Sequence, residues 1–321
     1  MKIKKAKNYL FLLGLLVFSH ALAKPFKKEF ILKGLHLNRI YKSMEGPLET
    51  QVGLDFGLKS SPFIWITKMT VEILNSDHKV GSQEFLCHAV FKYPDKNNHQ
   101  AALGVAQGLK TIQFPPGHGL KIPNVKDDIF IQAQALNNNY PDIDKTVYIR
   151  FTFEYYDDET AKKEKLKPLG MKFVGSLCPY KEKNGSAGCE PVFPKYYHTS
   201  PSGKKMTDHW LVPPGKHVYS SLQEGEFAIK QDIKVHYVWM HLHPYGQYIE
   251  LKKLGEVKPL WKGMAQNNAK LAILEKVESY SSVKGFNLYK DNQYELVMLY
   301  DNPRKKPVDA MGFLYMYYTP L

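Results

Sequence analysis

Short stretches of alternating apolar and polar residues constrain this fold more than any other feature of the sequence. The clearest runs from Val147 to Tyr156, where β-branched and aromatic residues occupy every second position. Side chains at every second position of a strand share one face, so the stretch predicts a strand with one buried face. Residues 63–73 and 129–136 show the same pattern, with turn residues between such runs. This spacing predicts an all-β sandwich or jelly roll.

The first 23 residues predict a secretory signal peptide. Four lysines precede an apolar run over residues 9–18, and Ala21-Leu22-Ala23 has the small-x-small pattern of a cleavage site. The run is too short to span a membrane as a helix. We therefore expect cleavage after Ala23 and an exported protein, periplasmic or secreted, without a membrane span.

The length of the remaining chain predicts two domains. Residues 24–321 exceed what a single core comfortably holds. A boundary is predicted over residues 157–168, which are charged and end at Pro168, giving domains 24–157 and 168–321. A long surface hairpin loop is the alternative interpretation of that segment.

The charge of the chain argues against a nucleic-acid partner. The formal net charge is +13, and four lysines but no acidic residue belong to the predicted signal peptide, which leaves +9. The basic residues are scattered along the chain instead of clustered, as expected of a solvated surface.

The three cysteines predict one disulfide and one remaining thiol. Cys178 and Cys189 flank a short loop, and export makes a disulfide between them plausible. Cys87 is left over, with His88 directly after it. Burial in the core and ligation of a metal are both open for this thiol.

The segment from Val235 to Gly246 carries the main chemical signal. Its pattern predicts a strand that ends at Pro244. His241 and His243 are two residues apart, so both imidazoles point to one face, where they can converge on a metal ion. The alternative is a pair of half-buried histidines bonded to backbone or carboxylate groups.

Two motifs together resemble a known family. The segment His241-Leu-His243-Pro-Tyr-Gly, followed later by Asp309-Ala-Met311-Gly-Phe-Leu-Tyr315-Met-Tyr-Tyr, is similar to the copper type II, ascorbate-dependent monooxygenases, which include the peptidylglycine α-hydroxylating and dopamine β-monooxygenases. The resemblance implies two jelly-roll domains packed side by side. It also implies a copper ion held by His241, His243 and Met311, with Tyr315 retained as a catalytic residue. Two imidazoles and a thioether suit copper in both oxidation states.

The resemblance is weaker in the N-terminal domain. The family holds a second, electron-transferring copper there with an adjacent histidine pair and a third histidine. Here the pair corresponds to Cys87 and His88, and the third position falls near Gln134. The resemblance therefore implies a degenerate electron-transfer domain. Trp239 and Phe313 replace the arginine and asparagine of the peptide hydroxylase, which argues against peptidylglycine as the substrate.

Three functions follow as expectations. The first is hydroxylation of a C–H bond in a small molecule or peptide, with O₂ and an external reductant. The second is binding or buffering of one copper ion without catalysis. The third is an adhesion or glycan-binding β-sandwich, in which the histidines are structural.

Overall fold

Antiparallel β-sheets make up almost all of the described chain. The computed structural model describes residues 23–41, 44–94, 100–178, 198–199 and 205–321. The predicted signal peptide and Cys189 lie outside these residues, apart from Ala23, so the signal peptide and the disulfide stay predictions. Within the described residues, no helix is long and apolar enough to cross a membrane.

The N-terminal sandwich contains eleven of the described strands and a short helix. In chain order these elements are β1 (Phe26–Ile31), β2 (Leu35–Leu37), β3 (Leu48–Val52), β4 (Phe63–Leu74), β5 (Leu86–Pro94), β6 (Gln100–Ala106), β7 (Thr111–Gln113), β8 (His118–Pro123), β9 (Phe130–Ala135), β10 (Lys145–Asp157), α1 (Asp158–Lys163) and β11 (Lys167–Pro168). One sheet has the order β1-β10-β4-β8-β11, with β2 on β10 and β7 on β4. The facing sheet has the order β3-β9-β5-β6.

The C-terminal sandwich contains the remaining described strands. They are β12 (Gly170–Gly175), β13 (His198–Thr199), β14 (Lys205–Met206), β15 (Trp210–Val212), β16 (Gly215–Leu222), β17 (Ile233–Leu242), β18 (Gly246–Lys253), β19 (Trp261–Asn267), β20 (Leu274–Val277), β21 (Ser279–Leu288), β22 (Tyr294–Asn302), β23 (Val308–Ala310) and β24 (Gly312–Pro320). Its sheets run β12-β24-β17-β21 and β16-β22-β18-β19-β20, with the two-stranded pairs β13-β14 and β15-β23. The expectation of an all-β chain built of antiparallel β-sandwiches is confirmed.

The most regular alternating stretch forms the centre of the larger N-terminal sheet. Strand β10 pairs with β1 on one side and with β4 on the other. Its residues Val147, Ile149, Phe151 and Phe153 are all fully buried, whereas the residues between them are half-buried. The period-two pattern therefore predicted this strand and its buried face correctly.

The predicted boundary contains an ordered helix that packs on the N-terminal sandwich. The side chain of Asp157 caps α1 by accepting a hydrogen bond from the backbone N–H of Thr160 at 2.6 Å. The next residue, Asp158, is buried and accepts a hydrogen bond from the indole N–H of Trp65 at 2.9 Å. A composition-based prediction could not find this contact, because Trp65 lies 93 positions earlier in the chain.

The two sandwiches meet through backbone and aromatic contacts. The N–H of Val277 on β20 donates to the carbonyl of Gly108 at 3.0 Å. Gly108 has φ +88° and lies so close to β20 that an added Cβ would be 3.2 Å from the Val277 nitrogen. Phe114 also packs on Tyr317, with ring centroids 4.9 Å apart. These contacts fix the position of one sandwich against the other.

A buried pair of histidines belongs to the same junction. The rings of His118 on β8 and His236 on β17 lie 4.2 Å apart between centroids, and each residue is 3% exposed. His236 lies at a bulge in β17 and contacts the Ser282 carbonyl and the Thr319 hydroxyl. His118 bonds the Pro116 carbonyl through Nδ1, whereas its Nε2 is buried without a partner among the described residues. His118 is therefore buried in the junction, although it directly follows a Pro-Pro-Gly turn.

Acid should weaken this junction. Burial lowers the pKa of His118 and of His236, and the positive charges of Lys167 and Lys234 lower it further. Stability from the neutral pair is full above the unfolded-state pKa of about 6.5 and is lost as the pH falls from there toward the folded-state pKa. We expect His118→Phe to lose fewer degrees of melting temperature than the unmodified protein between about pH 7.5 and pH 5.

His217→Phe is the matched control for this experiment. His217 also follows a Pro-Pro-Gly turn, but it is half-exposed, and its Nε2 donates a hydrogen bond to the backbone carbonyl of the nearby Pro214. It should keep the pH dependence of the unmodified protein. An equal loss of melting temperature in all three proteins would contradict the assignment of the acid sensitivity to the buried pair.

Candidate metal centre

The end of β17 places the two predicted histidines side by side. His241 pairs with Phe313 of β24, and Leu242 pairs with Gly312. His243 follows directly after the strand. The rings of His241 and His243 are 5.2 Å apart between centroids and nearly perpendicular, at 84°. Both imidazoles thus occupy one small region at the edge of the sheet.

A second pair of strands brings two further polar side chains to the same place. Strands β15 and β23 are antiparallel, and Leu211 faces Asp309 in their register. His209 lies one residue before β15. The pairing therefore joins His209 and Asp309, which are 100 positions apart in the sequence.

Asp309 connects the two groups. Its carboxylate lies 2.8 Å from Nδ1 of His243 and 3.1 Å from Nδ1 of His209. Potential ligand atoms of these three residues all lie within 4.8 Å of one another. Burial would raise the pKa of Asp309, but the facing His243 and His209 outweigh it and hold the pKa well below its usual range.

The carboxylate fixes the tautomer of His243. A carboxylate only accepts hydrogen bonds, so Nδ1 of His243 carries the proton that it donates to Asp309. In the neutral form of this ring, the lone pair that a metal ion needs is then on Nε2. Carboxylates commonly orient metal-binding histidines in this way. His209 differs, because its Nε2 lies 3.7 Å from Asp208 and the ring is placed between two carboxylates.

His241 is also suited to bind a metal ion. Burial, followed by the nearby His243, His88 and His209, lowers the pKa of His241 well below its usual value. The ring is therefore neutral at physiological pH. Its Nδ1 is buried and has no hydrogen-bond partner among the described residues.

The hydroxyl of Tyr300 bonds the backbones of both Met311 and His243. Its hydroxyl accepts the backbone N–H of His243 at 3.1 Å and that of Met311 at 3.3 Å, and it donates to the Met311 carbonyl at 2.6 Å. Tyr300 is fully buried on β22. One side chain therefore holds the backbones of two of the three predicted copper ligands next to each other.

A cavity of about 580 Å³ opens beside these residues. His241, His243 and Asp309 lie on its C-terminal side. Leu86 and Cys87 lie on its N-terminal side, so the cavity is formed between the two sandwiches. Its volume is in the range of small-molecule sites.

The three positions of the predicted second copper site lie close together in the structure. His88 pairs with Gln134 across β5 and β9, and its Nδ1 lies 3.4 Å from the Cys87 sulfur. The amide nitrogen of Gln134 donates to the carbonyls of Met44 and Gly46, each at 2.8 Å. The three positions named by the resemblance are thus neighbours, and they supply one imidazole, one thiol and one amide.

The ionisation of Cys87 and His88 also bears on metal binding at these positions. Burial raises the pKa of Cys87 to about 12, so the thiol stays protonated at physiological pH. Burial also lowers the pKa of His88 to about 4. The pair therefore offers one neutral imidazole and a thiol that a metal would have to deprotonate.

Tyr315 packs against Trp239. Its ring stacks on Trp239 at 4.2 Å with an angle of 5°. Burial, with a smaller effect of Asp208, raises its pKa to about 12, so the phenol stays protonated. A catalytic role for Tyr315 stays a prediction.

Three residues of this site were not predicted as functional. Asp309 stands two positions before Met311 in the motif, which was the only available signal for it. His209 and Tyr300 carry no spacing signal, because only the pairing of β15 with β23 and the position of β22 bring them to the site.

Comparisons with known proteins do not identify a family. No family model and no curated protein matches the chain. Among solved structures, the empty top-component particle of cowpea mosaic virus aligns over 98% of this chain and 96% of its own, with 9% identity and a TM-score of 0.35. A variant of Bacillus subtilis oxalate decarboxylase aligns over 94% and 79%, with 9% identity and a TM-score of 0.15. A plant receptor-like kinase aligns over 90% of each chain, with 9% identity and a TM-score of 0.18.

Removing the Tyr300 hydroxyl should damage the site and the fold together. Tyr300→Phe leaves the buried backbone groups of His243 and Met311 unpaired, which should cost about 1–3 kcal/mol of unfolding free energy. We also expect weaker metal binding, because the two backbone segments lose their common anchor. Denaturant unfolding and metal titration measure the two effects.

Tyr294→Phe provides the comparison. Tyr294 is on the same strand and buried, and its hydroxyl bonds the backbone of Tyr289 away from the site. It should lose stability without losing metal affinity. Equal metal affinity in both variants would show that Tyr300 does not position the ligands.

Proposed function

We propose that the chain is an exported copper-binding protein that holds one copper ion with His241, His243 and Met311. The observation that carries this proposal is the hydrogen bond between Nδ1 of His243 and Asp309. In the neutral form of His243 it leaves the lone pair on Nε2, with the neutral His241 close by, and carboxylates commonly orient metal-binding histidines in this way. The Tyr300 hydroxyl supports the inclusion of Met311, since it bonds the backbones of Met311 and His243.

The donor set argues for copper. Imidazole accepts several transition metals, whereas a thioether is a soft donor that selects Cu(I). A site with two imidazoles and one thioether would leave a coordination position open. In this arrangement Asp309 orients His243, and His209 holds Asp309 from its other side.

A second arrangement is supported by the same cluster. His209, His243 and Asp309 could bind a metal directly, because their ligand atoms lie within 4.8 Å of one another. Two histidines and one carboxylate suit zinc or non-haem iron. The two arrangements differ in whether Asp309 touches the metal.

The cavity favours a role that involves a small molecule over storage of the metal alone. A buffering site needs no ligand space, whereas here about 580 Å³ lies next to the proposed ligands. Copper supplies O₂ chemistry when bound. Hydroxylation of a C–H bond by O₂ also consumes two electrons and two protons and releases water. Only one imidazole, that of His88, is available at the three positions of the predicted second site. This favours an external reductant over a second bound copper as the source of electrons.

Copper stoichiometry tests the proposal. We expect one tight equivalent of copper per chain, and its loss in His243→Ala. His217→Ala removes a histidine outside the site and should retain the copper. Two tight equivalents in the unmodified protein, or full binding by His243→Ala, would contradict the proposed site.

Asp309→Asn separates the two arrangements. Asparagine retains an acceptor oxygen but removes the charge, so an orienting role predicts about 10- to 100-fold weaker copper binding with an unchanged spectrum of the bound copper. Asp301→Asn is the control, because the Asp301 carboxylate lies at the surface near Lys216. Complete loss of binding in Asp309→Asn would instead assign Asp309 as a ligand.

A further inference from the structure

The cavity beside the proposed copper is lined by an arginine that has no acidic partner in the part of the chain that the structure describes. Arg304 lines this cavity. Its Nε donates to the hydroxyl of Tyr245 at 2.7 Å, and within the described residues its guanidinium forms no ion pair. This bond uses one of the five N–H donors of the guanidinium. The remaining donors are available to a ligand.

Tyr245 is held in an unusual conformation that positions this arginine. It has φ +76°, in the left-handed region that tyrosine rarely adopts. Its N–H donates to the side-chain oxygen of Asn267 at 2.6 Å, and its carbonyl accepts the N–H of Asp301 at 2.9 Å. Strained residues persist where the surroundings fix them, and they cluster at ligand sites.

Arg304 and Tyr245 lie side by side in the wall of the cavity. The Arg304 guanidinium carbon lies 5.8 Å from the centroid of the Tyr245 ring, which also lines the cavity. The backbone N–H of Arg304 donates to the side-chain oxygen of Asn302 at 2.9 Å, so the main chain of the arginine is anchored too. A guanidinium anchored in this way loses less entropy on binding a carboxylate than a free one.

The rest of the cavity is mainly apolar. Leu86, Leu136, Leu211 and Val308 contribute to its wall, and Glu45 is its exposed acidic residue. Apolar walls favour the hydrocarbon part of a ligand. Glu45 disfavours a second anionic group. Together these features suit a ligand with one negative charge and an apolar body.

We propose that Arg304, positioned by Tyr245, binds the carboxylate of a small organic acid whose apolar body occupies the cavity beside the metal. The presence of a metal ion next to the bound acid rests on the proposed function, but the carboxylate site at Arg304 does not. Planar guanidinium groups bind carboxylates through two parallel hydrogen bonds, which gives both affinity and orientation. The site would therefore discriminate an acid from its neutral amide.

Calorimetric titration with matched probes tests whether the cavity prefers an acid to its neutral amide. The probes are phenylacetate, phenylacetamide and the longer 3-phenylpropionate, each added to metal-free protein and to copper-loaded protein. We expect at least one acid to bind about tenfold more tightly than the amide, and less tightly at high salt. Metal-free protein should retain this preference, so a failure of the copper proposal would leave the carboxylate result unchanged.

Variants test whether Arg304 causes the preference for the acid over the amide. Arg304→Met should abolish it, and Arg304→Lys should retain part of it. Lys305→Met removes the neighbouring exposed cation and should keep the full preference. Equal binding of acid and amide, no binding of either acid, or an unchanged preference in Arg304→Met would each overturn the proposal.

Discussion

The hydrogen bonds that Asp309 accepts from two imidazoles organise the candidate site. A carboxylate is costly to bury unless it is paired, and here His243 and His209 pair it from two sides. The same bonds set the orientation of His243. The carboxylate of Asp309 therefore has two effects: it is stabilised by the two histidines, and it leaves the lone pair of a neutral His243 on Nε2.

The sheets of the C-terminal sandwich make this pairing possible. β15 and β23 bring together residues from distant parts of the chain, and β17 ends beside them. Tyr300 on β22 then joins the end of β17 to the start of β24 through one hydroxyl. The N-terminal sandwich contributes the opposite wall of the cavity, so the junction between the sandwiches determines its shape.

Local sequence patterns predicted the strands of this protein better than the contacts between distant residues. Alternation identified β10 and its buried face, and the two-residue spacing of His241 and His243 placed their rings together. His209 could not be predicted, because its approach to Asp309 depends on a short strand pair between distant segments. The helix over residues 158–163 was missed for the same reason, since the bond from Trp65 to its first residue joins distant positions.

X-ray absorption at the copper edge reports which donor atoms bind the metal. In copper-loaded, reduced protein we expect scattering from two imidazoles and one sulfur, with the sulfur contribution lost in Met311→Leu. Oxygen and nitrogen ligands without sulfur would contradict the proposed ligand set and would favour direct binding by His209, His243 and Asp309.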